Sequence, residues 1–262
     1  MQAVRSTEFT EVRPKTSPER ILVSVATYNE RPNMERLIEE IHGQIPHADI
    51  LIVDDNSPDG TGKLIDDLAA KDSRIKALHR PGKMGLGTAI LAAMRYAIQH
   101  NYDLMLNMDA DFSHPPRYIP AIMEGMKKND IMIGSRYIPD GGTVDWPLSR
   151  RLMSKSVNAL VRLMLRLPAH DCSGGYRCYR VAKLRDTNFE GMRSKGYSFQ
   201  QEILYRCVMA ECKVGETPII FENRKHGKSK VNFGESFRSL STLVILGVRF
   251  MLGVDKEKLR KK

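Results

Sequence analysis

The 262-residue chain lacks a long uninterrupted apolar run. Its longest candidate, Leu243 to Val254, is interrupted by Arg249 and two glycines, and it is shorter than the roughly 20 residues that a helix needs to cross a bilayer. Residues 1–20 are polar and of mixed charge, without the apolar core of a secretory signal, and are predicted to form a flexible N-terminal arm. We therefore expect no membrane-spanning helix.

Cysteine is also scarce, and its placement argues against a zinc site or a disulfide framework. The four cysteines have no metal-ligand spacing with neighbouring histidines; they are Cys172, Cys178, Cys207 and Cys212. Since secreted scaffolds are rich in disulfides and cytosolic proteins are not, we interpret these residues as reduced, structural thiols of a cytosolic protein.

Positive charge is present in excess, but most of it belongs to one segment. Of the net charge of +10, residues 224–262 supply +8, with eleven Lys/Arg against three Asp/Glu. Such a tail suits a nucleic acid or an anionic membrane surface, and a solvated charged face is the simpler alternative. Aromatic residues are not interleaved with the basic ones, and no helix-turn-helix, zinc or RNP-type motif occurs, so we expect no nucleic-acid partner. A basic nucleic-acid-binding protein remains the non-enzyme alternative.

Short β-branched runs alternate with segments of helical period along the first half of the chain. This alternation predicts an α/β fold, with a doubly wound, mostly parallel sheet flanked by helices. The predicted strands are 21–26, 50–53, 75–78, 104–108 and 131–133, and the predicted helices are 33–42, 61–70, 88–100 and 117–128. The second half is predicted as a helix at 149–167, a glycine-rich segment at 171–180, a helix at 196–210 and a strand at 216–221. We expect a single domain over 21–235, followed by a basic amphipathic tail over 236–262.

Two carboxylates follow the fourth predicted strand. Asp109 and Asp111 open the sequence DADFSHPP, and their spacing suits a hard cation such as Mg²⁺ or Mn²⁺, which takes oxygen ligands and leaves positions for substrate phosphates. Asp54 ends the second strand, where a carboxylate can accept hydrogen bonds from a base or a ribose. Because ligands bind at the carboxyl ends of strands in such sheets, these acids indicate a nucleotide-dependent enzyme. An ordinary polar loop after a strand is the competing interpretation.

Basic residues near the same strand ends suit phosphate groups. Lys83 lies among three glycines just before a predicted helix, where backbone N–H groups and the helix dipole favour an anion, although the Walker spacing is absent. Arg136 follows another strand and Arg150 opens the next helix, and arginines pair with phosphate oxygens. His114 is predicted to order its loop and not to act as a general base.

Eight motifs occur in a fixed order along the chain. They are TYNE at 27–30, DDNSPDGT at 54–61, GKMGLG at 82–87, DADFSHPP at 109–116, GSRY at 134–137, GGYRCYR at 174–180, GYSFQQE at 196–202 and GKSK at 227–230. Over roughly residues 20–240 this order resembles the dolichol-phosphate (polyprenol-phosphate) mannose synthases of glycosyltransferase family 2, which are inverting enzymes with a GT-A fold. The resemblance implies transfer of mannose from GDP-mannose to the phosphate of dolichol or another polyprenol.

The resemblance also implies roles for individual residues. Donor binding would involve Thr27, Tyr28, Glu30, Asp54, Lys83, Asp109, Ala110, Gln200 and Glu202, the last two lining the sugar pocket. The metal, Mg²⁺ or Mn²⁺, would be held by Asp109, Asp111 and Ser113, although many relatives have glutamine in place of this serine. Donor or acceptor phosphates would be bound by Arg136, Arg150, Arg224 and Lys230. The residues expected to act in catalysis are Asp109, Asp111, Arg136 and Arg150.

Family members differ in how they reach the membrane. This chain resembles those without C-terminal spanning helices, so we expect a peripheral protein on the cytosolic face of a membrane, held by its tail or by a membrane-embedded partner subunit. A tail helix packed on the domain's own core is the alternative. A transferase for UDP-glucose or another UDP-sugar is the second enzymatic candidate, and a catalytically inactive scaffold the third possibility.

Overall fold

The computed structural model describes residues 18–222, except Asn188, Glu190, Gly191, Arg193, Lys195 and Tyr197. Most of the predicted N-terminal arm and the whole predicted tail lie outside the described residues. The same holds for Arg224 and Lys230, whose predicted phosphate contacts stay predictions.

Nine strands and seven helices occur in the described residues. The strands are β1 Ile21–Thr27, β2 Asp49–Asp54, β3 Ile75–His79, β4 Leu104–Asp109, β5 Ile131–Ser135, β6 Gly142–Thr143, β7 Arg177–Arg180, β8 Val214–Pro218 and β9 Ile220–Phe221. The helices are α1 Arg31–Gln44, α2 Thr61–Lys71, α3 Leu86–Gln99, α4 Ile119–Met126, α5 Leu148–Leu165, α6 Val181–Asp186 and α7 Phe199–Met209, and a short 3-10 helix precedes α4 at Pro116–Tyr118.

Seven of these strands form one twisted sheet in the order β3-β2-β1-β4-β7-β5-β8. All neighbours in it are parallel except β7, which runs antiparallel between β4 and β5. The first strands added on either side of β1 are β2 and β4, so the chain reverses its direction of winding there. The predicted doubly wound, mostly parallel sheet is confirmed.

Both faces of the sheet are covered by helices, and the central strands are correspondingly apolar on both faces. One core lies between the sheet and α3, α5, α6 and α7, with residues such as Leu51, Met94 and Val161. The other lies against α1, α2 and α4, with residues such as Val25 and Leu37. Burial of this apolar surface is the main force that holds the layers together.

The second half of the chain departs from the sequence prediction in several places, and β6, β7 and α6 were not predicted. The predicted glycine-rich segment contains β7, a strand of only four residues whose sequence RCYR shows no apolar alternation. The single strand predicted at 216–221 is divided at Ile219, because β8 pairs with β5 and β9 pairs with β6. These short pairings depend on tertiary contacts that periodicity does not reveal.

The cysteines and the helices of the described residues bear on the predicted thiols and on the predicted lack of a membrane span. All four cysteines are buried and free, as expected for structural thiols. None of the helices between residues 18 and 222 combines the length and the apolarity needed to cross a bilayer.

Candidate active site

The carboxyl ends of the central parallel strands bring the predicted acids to one edge of the sheet. Thr27 pairs in register with Asp54, and Ala26 pairs with Asp109. These positions therefore lie side by side on three neighbouring strands, as the strand-end argument predicted. The loops that follow β1, β2 and β4 all open onto this edge.

Asp54, a predicted donor-binding residue, is buried, with 2% of the residue exposed. Its carboxylate accepts hydrogen bonds from the hydroxyl of Thr27 at 3.1 Å and from the backbone N–H and hydroxyl of Ser57 at 3.0 and 2.5 Å. The predicted donor residue Thr27 thus contacts Asp54 directly. A carboxylate held in this way is pre-oriented for a further donor such as a base or ribose group.

The loops around Asp54 place the remaining predicted donor residues. The Lys83 ammonium lies 5.0 Å from the centre of the Tyr28 ring, which joins the TYNE motif to the glycine-rich segment. Glu30 accepts a hydrogen bond of 2.8 Å from the amide of Asn33, at the start of α1. Both loops therefore border the same edge of the sheet as Asp54.

An ion pair that the sequence did not reveal supports this side of the site. Arg80 donates two hydrogen bonds to Asp55, at 2.6 and 3.0 Å, and a third to the hydroxyl of Thr88 at 2.8 Å. Both side chains of the ion pair are less than one-tenth exposed. The pair fastens the β2 loop to the start of α3, so the carboxylate of Asp55 has a structural role.

Asp109 is held through its backbone by His114. The Asp109 N–H donates to Nδ1 of His114 at 3.0 Å, and the carboxylate Oδ2 lies 3.6 Å from the same nitrogen. His114 is buried, whereas about a third of the Asp109 side chain is exposed. The histidine orders the loop, as predicted, and the carboxylate stays at the surface where a cation can reach it.

Asp111 is oriented by Ser113. Its Oδ1 accepts hydrogen bonds from the backbone N–H and the hydroxyl of Ser113 at 3.1 and 2.5 Å, and the serine is only 2% exposed. The hydroxyl hydrogen is used to orient Asp111, and direct ligation of a metal by Ser113 stays a prediction. Ala110, buried between the two acids, can offer only its backbone and its methyl group to a donor.

The donor set fits a cation that is completed by its substrate. Asp109 and Asp111 supply hard oxygens, and Mg²⁺ is commonly bound through one or two carboxylates together with substrate phosphates and water. Between residues 18 and 222, as described, no group of three or more His, Cys, Asp or Glu is arranged to hold a metal. The remaining ligands of such an ion would have to come from a diphosphate and from water.

A row of four rings, which we call the aromatic row, leads from the DADFSHPP loop towards α5. His114 stacks on Tyr176 at a centroid distance of 4.9 Å and meets the edge of Phe221 at 5.5 Å. Phe221 in turn contacts Trp146 at 5.5 Å. Such offset and edge-to-face pairs stabilise packing beyond simple burial. The row therefore fixes β9 against the loop of the DADFSHPP motif, residues 109–116, which we call the acidic loop.

Both predicted phosphate-binding arginines of the described chain lie against this aromatic row. The Arg150 guanidinium carbon is 3.8 Å from the Trp146 ring centre, and that of Arg136 is 5.6 Å from Trp146 and from Phe221. The structure therefore brings Arg136 and Arg150 to one group of rings that also contacts the acidic loop. Sequence spacing alone left them on separate elements.

Arg136 has a buried partner that was not predicted. Its Nε and NH2 donate to the two oxygens of Asp171 at 2.7 and 2.8 Å, and NH2 also donates to the hydroxyl of Ser173 at 2.8 Å. Burial alone would raise the pKa of the Asp171 carboxyl, but the charge and hydrogen bonds of Arg136 more than offset it and hold that pKa below its usual value. This charge-balanced pair fixes the GSRY loop to the segment that leads into β7.

Gln200 approaches the acidic loop through a gap left by Gly175. A Cβ placed on Gly175 would lie 3.3 Å from the Gln200 amide nitrogen, 3.5 Å from Cε1 of His114 and 3.8 Å from Oδ1 of Asp109. The side chains of Gln200, His114 and Asp109 thus lie close together, because Gly175 has no side chain to separate them. Among the residues that the structure describes, none donates a hydrogen bond to the buried carbonyl oxygen of Gln200.

Glu202, in the same helix, is fully buried. Its carboxylate accepts hydrogen bonds from the backbone N–H of Ser194 at 2.9 Å and from the Arg206 guanidinium at 2.9 and 3.2 Å. These contacts join the start of α7 to the segment before it. Contact between Glu202 and a sugar stays a prediction.

Several residues of the site were not found from the sequence, and most of them had no sequence signal. Arg177 is completely buried in β7, where NH1 donates to the carbonyl of Gln200 and NH2 to that of Cys172, both at 2.7 Å. Arg80 and Asp171 form buried ion pairs across long sequence separations. Trp146, the single tryptophan of the chain, was the one with a compositional signal.

Comparison with known proteins gives a family match over most of this site. The model of the family "Glycosyl transferase family 2" matches residues 22–187. The chain is 39% identical over 215 residues to an undecaprenyl-phosphate mannosyltransferase of Micrococcus luteus, which covers 82% of this chain and 88% of that one. It is 38% identical over 240 residues to a polyprenol monophosphomannose synthase of Mycolicibacterium smegmatis, covering 91% and 89% of the two chains.

Solved structures with the same architecture come from more distant proteins. Glucosyl-3-phosphoglycerate synthase from Mycobacterium tuberculosis, in complex with UDP, superposes with a TM-score of 0.61 at 15% identity, over 87% of this chain and 80% of that one. The same enzyme in complex with Mn²⁺, UDP and phosphoglyceric acid gives a TM-score of 0.61 at 14% identity, over 87% and 78%. At this identity the likeness concerns the fold, and the expected GT-A-like fold is confirmed.

Proposed function

The chain belongs to glycosyl transferase family 2, and from this membership and the geometry of the sheet edge we propose that it is a polyprenol-phosphate mannosyltransferase. It transfers mannose from GDP-mannose to the phosphate of dolichol or another polyprenol, and it inverts the anomeric carbon. The products are polyprenyl-phosphate mannose and GDP. Two relatives are 38–39% identical to this chain over most of its length, and they are named for mannose transfer to polyprenyl phosphates. Their names support this acceptor class.

One observation carries the proposal. The aromatic row joins the acidic loop to Arg136 and Arg150, so that two carboxylates and two arginines border a common site. A reaction between a nucleotide diphosphate and a lipid phosphate brings two anionic groups together, and such an approach is repulsive unless cations neutralise it. A metal held by the acids and the guanidinium of Arg150 would meet that need, whereas the charge of Arg136 is already balanced by Asp171.

In the proposed reaction the acceptor phosphate oxygen forms a bond to the anomeric carbon while the bond from that carbon to GDP breaks. The bonding electrons leave with the GDP diphosphate. A lipid phosphate is already ionised near neutral pH, so the attack needs no side-chain base. Catalysis then depends on positioning the two substrates and on stabilising the leaving group.

The acidic loop would serve the leaving group. Asp109 and Asp111 would hold Mg²⁺ or Mn²⁺, and the ion, when bound, would offset the charge that develops on the diphosphate. His114 and Ser113 keep the two acids oriented through the contacts at 3.0 and 2.5 Å. Thr27, Tyr28, Glu30, Asp54 and Lys83 would bind the nucleotide, and Gln200, which lies beside Gly175 near Asp109, would line the sugar pocket.

The arginines would serve the two phosphates. Arg150 would bind the acceptor phosphate, since its guanidinium is held against Trp146 at the start of α5. Arg136 already balances the charge of Asp171, so it would act mainly by fixing the shape of the GSRY loop beside the site. We place the protein peripherally on the cytosolic face of a membrane, where lipid phosphates are accessible. A membrane-embedded partner subunit is compatible with that placement.

Incubation of the full-length protein with radiolabelled GDP-mannose, polyprenyl phosphate and Mg²⁺ or Mn²⁺, followed by lipid extraction, tests the proposal. We expect label in the lipid phase, loss of that label when a chelator is added, and a β-linked product by NMR. A parallel reaction with labelled UDP-glucose measures donor choice. Label transfer from UDP-glucose and not from GDP-mannose would replace the proposed donor, and absence of label with either donor would reject the transferase.

A further inference from the structure

The described surface has one concentration of exposed apolar side chains, and it lies on α5. Nine large apolar residues of the described chain are strongly exposed, and six of them belong to this helix. They are Leu148, Leu152, Met153, Val157, Leu160 and Leu163. Leu148 and Leu163 are 71% and 78% exposed. Single exposed leucines are common on protein surfaces, but a group of them indicates an interaction site.

These side chains form one face of the helix. Apart from the adjacent Leu152 and Met153, they recur at intervals of three or four residues, as expected for a single side of an α-helix. The opposite side carries the buried residues Asn158, Val161 and Leu165. Asn158 donates to the hydroxyl of Ser173 and accepts from the backbone N–H of Cys172, so these contacts hold that side of the helix to the domain.

The charges of α5 indicate what covers the apolar face. The helix contains four basic residues and no Asp or Glu; the basic residues are Arg150, Arg151, Lys155 and Arg162. An exposed apolar face on a helix whose charged residues are all cations is typical of a helix that lies in the headgroup layer of an anionic bilayer. The chain's own C-terminal segment, residues 224–262, also carries an excess of eight positive charges, and a second copy of α5 is equally cationic, so charge complementarity favours an anionic surface over either of them.

The position of α5 relates this face to the site. The helix begins at Leu148, directly after the segment that holds Trp146, and Arg150 in its first turn lies 3.8 Å from that ring. A lipid surface against α5 would therefore lie beside the arginine proposed to bind the acceptor phosphate. We propose that α5 is the surface by which this chain docks on an anionic lipid bilayer. Its link to catalysis rests on the proposed function, whereas the docking itself can be measured separately.

Sedimentation of the full chain with vesicles tests the apolar part of the surface. The vesicles contain phosphatidylcholine and phosphatidylglycerol, and the variant carries Leu152→Ser and Leu163→Ser. Both side chains are more than half exposed, so the fold should persist and circular dichroism can verify it. We expect the vesicle affinity to fall at least about tenfold, since each leucine loses its apolar burial in the interface. The matched control carries Met84→Ser and Leu86→Ser, exposed apolar residues outside α5, and should bind like the wild type.

A second pair of variants tests the charges. Lys155→Gln with Arg162→Gln should remove most of the preference for vesicles with phosphatidylglycerol over vesicles of phosphatidylcholine alone. Lys63→Gln with Lys71→Gln, on α2, removes the same charge elsewhere and should keep the preference. Equal losses in both pairs would show that net charge, and not α5, attracts the protein to the membrane.

The emission wavelength of a tryptophan placed on α5 reports directly on contact between this surface and lipid. In the wild type the single tryptophan, Trp146, is buried, so Leu163→Trp adds a reporter on the exposed face. We expect its emission to shift to the blue when anionic vesicles are added. Emission that is already blue without vesicles would mean that protein covers the face, and emission that stays unshifted while the protein sediments would assign the contact to another segment. Either result would overturn the proposal.

A water-soluble short-chain polyprenyl phosphate separates docking from catalysis. We expect the Leu152→Ser, Leu163→Ser variant to transfer mannose to the soluble acceptor at the wild-type rate and to lose transfer to acceptor in vesicles. Vesicle binding that depends on α5 without transfer to any acceptor would reject the proposed function and support docking. If the Leu152→Ser, Leu163→Ser variant transfers mannose and still binds vesicles like the wild type, docking through α5 would be rejected and the proposed function supported.

Discussion

The backbone N–H of Asp109 donates a 3.0 Å hydrogen bond to Nδ1 of His114. Because Nδ1 is the acceptor, the neutral ring carries its proton on Nε2. The ring is buried between Tyr176 and Phe221, so its position is fixed by packing as well as by this bond. His114 is therefore a positioning residue for the acidic loop.

Replacement of His114 should separate this positioning role from a catalytic one. His114→Phe keeps the ring packing but loses the acceptor, and we expect a 10- to 100-fold loss of kcat together with weaker Mn²⁺ activation, as for other groups that orient metal ligands. His114→Asn offers an oxygen near the position of Nδ1 and should restore part of the activity. Steady-state kinetics over a Mn²⁺ titration measures both effects. Equal activity of the Phe variant and the wild type would contradict the role.

The two acids of the DADFSHPP motif should be indispensable for metal-dependent transfer. Asp109→Asn and Asp111→Asn keep the side-chain shape and remove the charge, so we expect kcat to fall by at least about 100-fold with little change in thermal stability. The control Asp67→Asn removes an exposed carboxylate of α2 and should leave kcat unchanged. Turnover that persists in either site variant would argue against a metal held by this pair.

The sequence located the strand ends but not the contacts between them. Apolar runs predicted β1, β2 and β4, and the rule that ligands bind at carboxyl ends placed Asp54 and Asp109 on one edge, as their register now shows. Those predictions succeeded because a buried parallel strand has a local apolar signal. The position of β7 between β4 and β5 has no such signal, since its four residues are specified by pairing with two distant strands.

Buried ion pairs were invisible for the same reason. Arg136 was interpreted as a phosphate ligand because arginine suits phosphate, yet its fork is already occupied by Asp171, 35 residues away. A pattern of residue types indicates which chemistry is available, but the choice between two acceptors depends on distances that only the folded chain defines.

The buried Arg136–Asp171 pair should contribute to stability in a pH-dependent way. The folded-state pKa of Asp171 is depressed, so its contribution is present above the unfolded carboxyl pKa of about 3.9 and is lost as the pH falls below that value towards the folded pKa. Asp171→Ala leaves a buried cation unpaired, and we expect about 3–5 kcal/mol of destabilisation at pH 7. Urea unfolding at pH 7 and at pH 3 measures the difference.

A partly exposed carboxylate provides the matched comparison for that pair. Asp72, whose hydrogen bonds from Arg74 lower its pKa to about 2, is solvent-accessible, and exposed ion pairs stabilise proteins by no more than about 1 kcal/mol. Asp72→Ala should therefore cost much less than Asp171→Ala. Similar losses in the two variants would show that burial does not govern the strength of the Arg136–Asp171 pair.

Gly87 allows the start of α3 to lie against the start of α7. A Cβ on this glycine would be 2.7 Å from the ring of Phe199, closer than real contacts allow. Gly87→Ala should therefore destabilise the protein by about 1–3 kcal/mol, measured by urea unfolding, because the ring and its helix must move. In α1, a Cβ on Gly43 would meet nothing within 4 Å, and Gly43→Ala should instead stabilise the protein by about 0.5–1 kcal/mol. Destabilisation by both changes would remove the steric explanation.

Arg150 and its neighbour Arg151 allow acceptor binding to be tested with a control of equal charge. Arg150 stacks on Trp146 beside the site, whereas Arg151 donates to the backbone carbonyl of Thr143 at 3.0 Å and is exposed. Arg150→Ala should raise the KM for polyprenyl phosphate about 10-fold or more and leave the KM for GDP-mannose nearly unchanged, because one charge-assisted phosphate contact is lost. Arg151→Ala should change neither KM by more than about twofold.

The comparison of Arg150→Ala with Arg150→Lys then separates charge from geometry. Lysine keeps the positive charge but loses the planar fork and its stacking on Trp146, so an intermediate KM for polyprenyl phosphate is expected. Kinetics with a water-soluble short-chain acceptor exclude effects of membrane binding. A rise confined to the KM for GDP-mannose would assign Arg150 to the donor, and the acceptor phosphate would then have to lie elsewhere along the aromatic row.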